Sequence, residues 1–318
     1  MSIIEEATKR LEQLGKAGIQ PPGKPDPVAP GQEEAINSPH RIAQQIAAAD
    51  EARKRARASL NEAPGKRIEP SLSGDAATGR NYIKLDLGQL QANGIITPAA
   101  PDQQLLHEFR ILKRPLIRNA LGKSAAPLRN GNVIMVTSAL PGEGKTFVAT
   151  NLAMSIAMEI DSTVLLVDAD VVQPSIPRVL SIQPVKGLMD VLTEPDLDFG
   201  DVILKTNINR LSLVLTGTRH RRSSELLASE AMADLLDEVS SRYADRIVIF
   251  DSPPLLATSE ARVLASHMGQ VVVVVEADRT THGMLESALS TVESCPVVLT
   301  MLNKATTSDA GSYYGYYG

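Results

Sequence analysis

The sequence predicts a doubly wound α/β domain on a mostly parallel sheet, and three observations predict it. First, NVIMVT, TVLLVDAD, LSLVL, RIVIFD, VVVVVE and VVLTML are short, nearly continuous apolar runs in the second half of the chain. Strands covered on both faces read this way. Second, helix-length segments separate most of them, at 145–160, 224–242 and 281–293. Such alternation gives a parallel sheet with right-handed crossovers. Third, the first run leads directly through a glycine-rich turn, SALPGEGKT, into the apolar helical pattern FVATNLA.

The remaining segments follow from the N-terminal side. A chain of 318 residues holds about two domains, or one large domain with an extension. Residues 1–80 read as a weakly ordered extension. Within it, Ile3, Ile4, Ala7, Leu11 and Leu14 recur at helical spacing, and a face mixing Glu5, Glu6 and Glu12 with Lys9 and Arg10 suits a protein partner. PPGKPDPVAPG, residues 21–31, blocks helix and strand and reads as a linker. Residues 40–60 have helical composition, with a basic cluster at Arg53, Lys54, Arg55 and Arg57. Order resumes near Tyr82, where YIKLDL alternates like a strand. Residues 102–121 read as a helix, with Pro115 a break or kink. The expected division is therefore an extension at 1–80, a nucleotide-binding domain at 81–306 and a tyrosine-rich tail at 307–318.

Charge and composition narrow the function. Thirty-two Lys and Arg against 37 Asp and Glu leave a net charge of −5, so a nucleic-acid partner is not expected. No run of 18 apolar residues suggests a transmembrane helix, the opening stretch lacks the apolar core of a signal peptide, and the lone Cys295 builds no disulfide or zinc framework. The chain reads as cytoplasmic.

The turn SALPGEGKT fits the phosphate-loop pattern G-x-x-x-x-G-K-[ST], with Ala139 in its first position and Gly144, Lys145 and Thr146 at its end. Gly142 and Gly144 let backbone N–H groups converge on phosphate oxygens, and the following helix adds its N-terminal partial charge. Lys145 is placed to neutralise β and γ oxygens, and the Thr146 hydroxyl to ligate Mg²⁺. The expected ATP-binding stretch is Pro141, Gly142, Glu143, Gly144, Lys145, Thr146 and Phe147. Asp168 and Asp170 close one apolar strand and Asp251 closes another. Ligands of doubly wound sheets sit at those carboxyl ends. Asp251 is expected to hold Mg²⁺, and Asp168 to orient or deprotonate an attacking hydroxyl, with Asp170 assisting.

ALPGEGKT, VLLVDAD, VIFDSPP and a terminal tyrosine cluster together resemble the bacterial tyrosine kinases, P-loop proteins that share the MinD/ParA-like (SIMIBI) fold. The match covers residues 100–318, and the opening helix with EFRILKRPL resembles the autokinases of exosortase-linked exopolysaccharide clusters. The resemblance implies ATP and Mg²⁺ as cofactors and autophosphorylation in trans, with Tyr313, Tyr314, Tyr316 and Tyr317 as acceptors. It implies Lys145, Asp168, Asp170 and Asp251 as catalytic residues, with Thr146, Asp168 and Asp251 at the metal. Asn303 falls where related ATPases contact adenine, and ELLAS at 225–229 matches a family segment.

The same resemblance implies a transmembrane co-polymerase activator, a homo-oligomeric ring when unphosphorylated, and a tyrosine phosphatase. Location would be peripheral at the inner membrane through the activator. Two family positions differ here. Val172 stands where an Arg often follows the second Asp, and His107, Arg110 and Lys113 stand where an oligomerisation helix carries Glu-x-x-Arg-x-x-Arg. Four phosphotyrosines would add about −6 to −8 charges, which predicts that modification drives the oligomer apart. Two other classes share the early motifs: a MinD/ParA-type positioning ATPase, which carries a Lys where Leu140 stands, and a non-catalytic ATP-binding scaffold.

Overall fold

The computed structural model describes residues 81–99, 102–123 and 128–305, all within one compact unit, Ala43–Gly318. The opening helical stretch, the proline linker, the basic cluster at 53–57 and the tyrosines at 313–317 lie outside the described residues.

In chain order the elements are β1 (Tyr82–Ile83), α1 (Leu87–Ala92), α2 (Gln103–Ala120), β2 (Val133–Ser138), α3 (Lys145–Ala157), β3 (Thr163–Asp168), α4 (Ile176–Val179) and α5 (Leu188–Thr193). A short 3₁₀ turn, Phe199–Val202, precedes β4 (Leu204–Thr206) and β5 (Leu211–Val214). Then come α6 (Ser223–Leu227), α7 (Glu230–Arg242), β6 (Arg246–Asp251), α8 (Glu260–Ser266), β7 (Gln270–Glu276), α9 (His282–Ser290) and β8 (Val298–Asn303).

The strands form one sheet in the order β1-β4-β5-β3-β6-β2-β7-β8. Every pairing is parallel except β4 with β5. Alternate side chains feed two separate apolar clusters, one on each face. Val133 and Met135 of β2, Leu165 and Val167 of β3, and Val271 and Val273 of β7 join one. Ile134 and Val136, Val164 and Leu166, and Val272 and Val274 join the other. Because successive strand residues point to opposite faces, a run with no polar position must have helices on both sides. That is the doubly wound architecture.

Three elements depart from the sequence reading. YIKLDL yields only the two-residue β1, because Asp86 accepts from the N–H groups of Gly88 (2.9 Å) and Gln89 (3.1 Å) and starts α1. Helix α2 runs unbroken through Pro115. The ring costs the Ile111 carbonyl its helical partner, but Ile111 is 56% exposed, so water can take that place, while Phe109 and Leu116 hold the buried face. The single helix expected at 224–242 is two, because Ser229 caps the second through the Met232 N–H. Among the described residues no helix is long and apolar enough to cross a membrane.

Candidate active site

The turn after β2 adopts the phosphate-loop conformation. Gly142 (φ +91°) and Gly144 (φ +99°) lie in the left-handed region, which side chains disfavour. A Cβ on Gly144 would also lie 2.1 Å from Asn303 Nδ2. Ala139, where the motif wants glycine, is buried in the core and has no positive φ, so the backbone makes no demand for glycine there.

The loop is braced from behind. Glu143 is fully buried, and its carboxylate accepts from the Leu140 N–H (2.8 Å) and the Thr280 hydroxyl. Burial pushes its carboxyl above the ordinary value despite those bonds. Its side chain therefore faces the protein, leaving backbone N–H groups for a ligand. Asn303 Nδ2 donates to the Glu143 carbonyl (2.8 Å), and Lys304 Nζ to the Gly142 carbonyl (2.8 Å). Lys304 also pairs with Glu276 (3.0 Å), as does Arg279 (3.0 Å). The loops after β7 and β8 thus grip the phosphate loop, and nothing in local sequence links residues so far apart. Phe147 is partly buried and packs on the core cluster that contains α3. Pro141 stays at the half-exposed mouth of the loop.

The acidic strand ends converge on Lys145. Asp168 and Asp251 are register partners across β3 and β6, so parallel pairing alone sets them side by side. Lys145 Nζ lies 2.6 Å from Asp170 Oδ2, 3.7 Å from Asp251 Oδ1 and 3.5 Å from the Thr146 hydroxyl. All four charged groups are buried. Burial works against the Lys145 ammonium, but Asp251 and Asp170 outweigh it and raise its pKa. Burial first, then repulsion from Asp251 and Asp170, lifts Asp168 well above the usual carboxylate range. Burial, reinforced by Asp170 and opposed by Lys145, raises Asp251 to about 6. Asp168 accepts long bonds from the N–H groups of Asp170 and Ile176 (both 3.3 Å).

Neither carboxylate oxygen of Asp251 has a hydrogen-bond partner. A buried carboxylate with no hydrogen bond, beside a threonine hydroxyl, fits a divalent cation. Among the described residues no three His, Cys, Asp or Glu side chains form a ready-made metal cage. Magnesium at phosphate sites takes one or two protein groups and fills the rest of its shell with water and phosphate oxygens, so this donor set suits it.

Two family-like positions are placed as well. Val172 is 51% exposed beyond Asp170. On α2, His107 and Arg110 are exposed. Lys113 is buried, donating to the Ser155 carbonyl (2.8 Å) and pairing with Glu159 (2.6 Å). It is thereby committed within the chain.

A strand, a glycine-bent phosphate loop, a helix opening on Lys-Thr and carboxylates closing the neighbouring strands define a P-loop nucleotide-binding protein. Residues 129–283 match the ParA family model, described as NUBPL iron-transfer P-loop NTPase. Tyrosine-protein kinase YwqD of Bacillus subtilis strain 168 is 31% identical over 237 residues, covering 74% of this chain and 96% of YwqD. Tyrosine-protein kinase Wzc of Salmonella typhimurium strain LT2 is 32% identical over 189 residues, covering 58% of this chain but only 26% of Wzc. The kinase domain of Escherichia coli tyrosine kinase ETK superposes with a TM-score of 0.53 at 24% identity, covering 69% of this chain and 95% of that domain, which bears on the fold alone. The chain belongs to the bacterial tyrosine kinase family.

Proposed function

We propose that the chain is an ATP- and Mg²⁺-dependent autokinase that phosphorylates Tyr313, Tyr314, Tyr316 and Tyr317 of a neighbouring copy. The observation that carries this reading is the buried Lys145 ammonium, bridged to Asp170 and close to Asp251 at the mouth of the phosphate loop. A charged lysine held by carboxylates is poised to exchange them for phosphate oxygens.

The roles divide by environment. Asp251 and Thr146 would hold magnesium, which would supply positive charge for the transferring phosphoryl group. Lys145 leaves Asp170 to contact the β and γ oxygens. Asp168, with its raised pKa, is the stronger base. One of its carboxylate oxygens takes the tyrosine hydroxyl proton as the phenolic oxygen bonds to phosphorus and the bridging oxygen departs with ADP. Positioning and charge stabilisation supply most of the catalysis. Asn303, bonded to the loop at the Glu143 carbonyl, would contact adenine.

One relative, from Klebsiella pneumoniae, is named as a tyrosine-protein kinase in a cps region. We extend this to a role in exopolysaccharide assembly, with a membrane-spanning activator holding the chain at the inner membrane. Phosphorylation loosens the oligomer and a phosphatase resets it. Intact mass before and after Mg-ATP tests the core of this reading, with the activator's cytoplasmic segment present. Phosphate increments mapping to 313–317 and absent from Lys145→Met support it. Bound nucleotide with no increment under those conditions overturns it.

A further inference from the structure

Beyond the nucleotide site, the carboxyl edge of the sheet carries a second concentration of charge. The loop after β5 reads Thr218, Arg219, His220, Arg221, Arg222, and residues 218–222 are all exposed. Three arginines in four residues are unexpected in a chain of net charge −5. We propose that this loop docks the phosphorylated tyrosines of the chain's own 307–318 segment; the proposal rests on the autokinase reading above for the source of the phosphate.

Position is the first argument. Val214 of β5 pairs with Val167 of β3, so Leu215 comes abreast of Asp168 and the loop rises from the edge that carries the catalytic carboxylates. Its base is pinned. Asp190 Oδ2 accepts from the N–H groups of Thr218 (3.0 Å) and Gly187 (2.7 Å).

The second argument is that the turn holds itself without using its arginine side chains. Ser223 Oγ donates to the His220 carbonyl (2.7 Å) and accepts from the His220 N–H (3.2 Å), while His220 Nδ1 accepts from the Arg222 N–H (3.1 Å). Arg222 has one ion pair, with Glu225 at 3.6 Å, and both side chains are about three-quarters exposed. A pair of that kind is worth about 1 kcal/mol or less and is readily exchanged. Among the described residues Arg219 and Arg221 make no ion pair. Their forks stay available, and a guanidinium matches a phosphate with two parallel bonds.

Charge complementarity selects the occupant. Residues 306–318 contain one acidic side chain, Asp309, so the unmodified segment offers three arginines little. Each phosphotyrosine adds about −1.5 to −2 charges. Reach allows it within one chain. Strand β8 lies five positions from β5 in the sheet, about 24 Å at ordinary strand spacing. The chain from Ala305 spans up to about 28 Å to Tyr313 and about 40 Å to Tyr317. Docking in this way retires a modified segment from the neighbouring catalytic edge.

The test uses the full-length chain with its four tail tyrosines changed to Phe. Labelled synthetic peptides spanning 306–318, unmodified or phosphorylated at Tyr313 and Tyr316, are titrated by fluorescence anisotropy. The phosphopeptide should bind at least about tenfold tighter than the unmodified one, and more weakly as salt rises. Arg219→Ser with Arg221→Ser should erase that preference while fluorescent ATP binds as before. Equal binding of both peptides, or an unchanged preference in the double variant, overturns the proposal. So does an arginine-dependent affinity for phosphatidylglycerol vesicles without a phosphopeptide preference, which would assign the loop to a membrane surface. For docking within one chain, fully phosphorylated full-length protein should take up the labelled phosphopeptide at least about tenfold less tightly at every protein concentration; competition that appears only at high concentration overturns the same-chain arrangement. Because the peptides are synthetic, an inactive kinase leaves the binding result standing, and an active kinase that fails to bind them discards the docking loop alone.

Discussion

The centre of the sheet's carboxyl edge and its β5 rim each gather like charges, and they treat them oppositely. At the centre Asp168, Asp170 and Asp251 share one ammonium away from water. At the rim three guanidinium groups stand in solvent, where repulsion is screened over about 8 Å. Burial raises the proton affinity of the central carboxylates, so that cluster is tense until a cation or proton arrives. The exposed arginines carry no such tension. The difference teaches that buried charge depends on the counter-charge packed beside it, whereas exposed charge is balanced by water and salt.

The largest test of the contrast is Lys145→Met. Phosphotyrosine should fall by about a thousandfold or more with the fold retained. The thermal midpoint should drop further at pH 8 than at pH 5.5, because ionised carboxylates then lack their cation. Equal drops at both pH values would show that the buried pairing is not what the lysine supplies to stability. Asp251→Asn comes next. Its folded pKa of about 6 is raised above the unfolded 3.8, so its ionised form destabilises the free protein above pH 6, and the effect fades as pH falls towards 4. The variant should therefore be more stable than the parent at pH 7.5, by at most about 3 kcal/mol, with the gain shrinking below pH 6 and activity lost. Denaturant midpoints across pH measure this; a less stable variant at pH 7.5 would contradict it.

Glu143 sharpens the comparison because it is buried yet bonded at both oxygens. Glu143→Gln and Thr280→Val should each cost about 1 kcal/mol, read as a several-fold rise in KM for ATP with kcat less affected, while Thr280→Ser retains function. The smallest effect belongs to the rim. Arg219→Ser with Arg221→Ser should leave unfolding free energy within about 0.5 kcal/mol of the parent, at pH 5.5 and pH 8 alike.

The six apolar strands were legible because a strand buried on both faces needs no polar position. β4 was not: three residues, Leu204–Thr206, turned antiparallel against β5, carry too little pattern to register. The second helix start at Ser229 was visible in principle as a serine before glutamate, but continuous helical composition masked it. At the site, the phosphate loop and the strand-end aspartates could be read from spacing. That Lys145 bridges to Asp170, and that Glu143 turns inward to Thr280, depends on contacts across 25 and 137 residues. The arginine turn was not legible, because its weight comes from the strand beside it, which only topology reveals.

Lys113 belongs to α2 but bonds the trailing end of α3, at the Ser155 carbonyl and at Glu159 just beyond the helix. Helix α3 has 13 residues and is about 20 Å long. Its leading end carries Lys145 and Thr146. An α-helix resists stretching along its axis, so α3 acts as a tie rod between the outer flank of the molecule and the phosphate loop. A body that grips α2 at His107, Arg110 or Ile111 therefore holds a lever on the nucleotide site without approaching it.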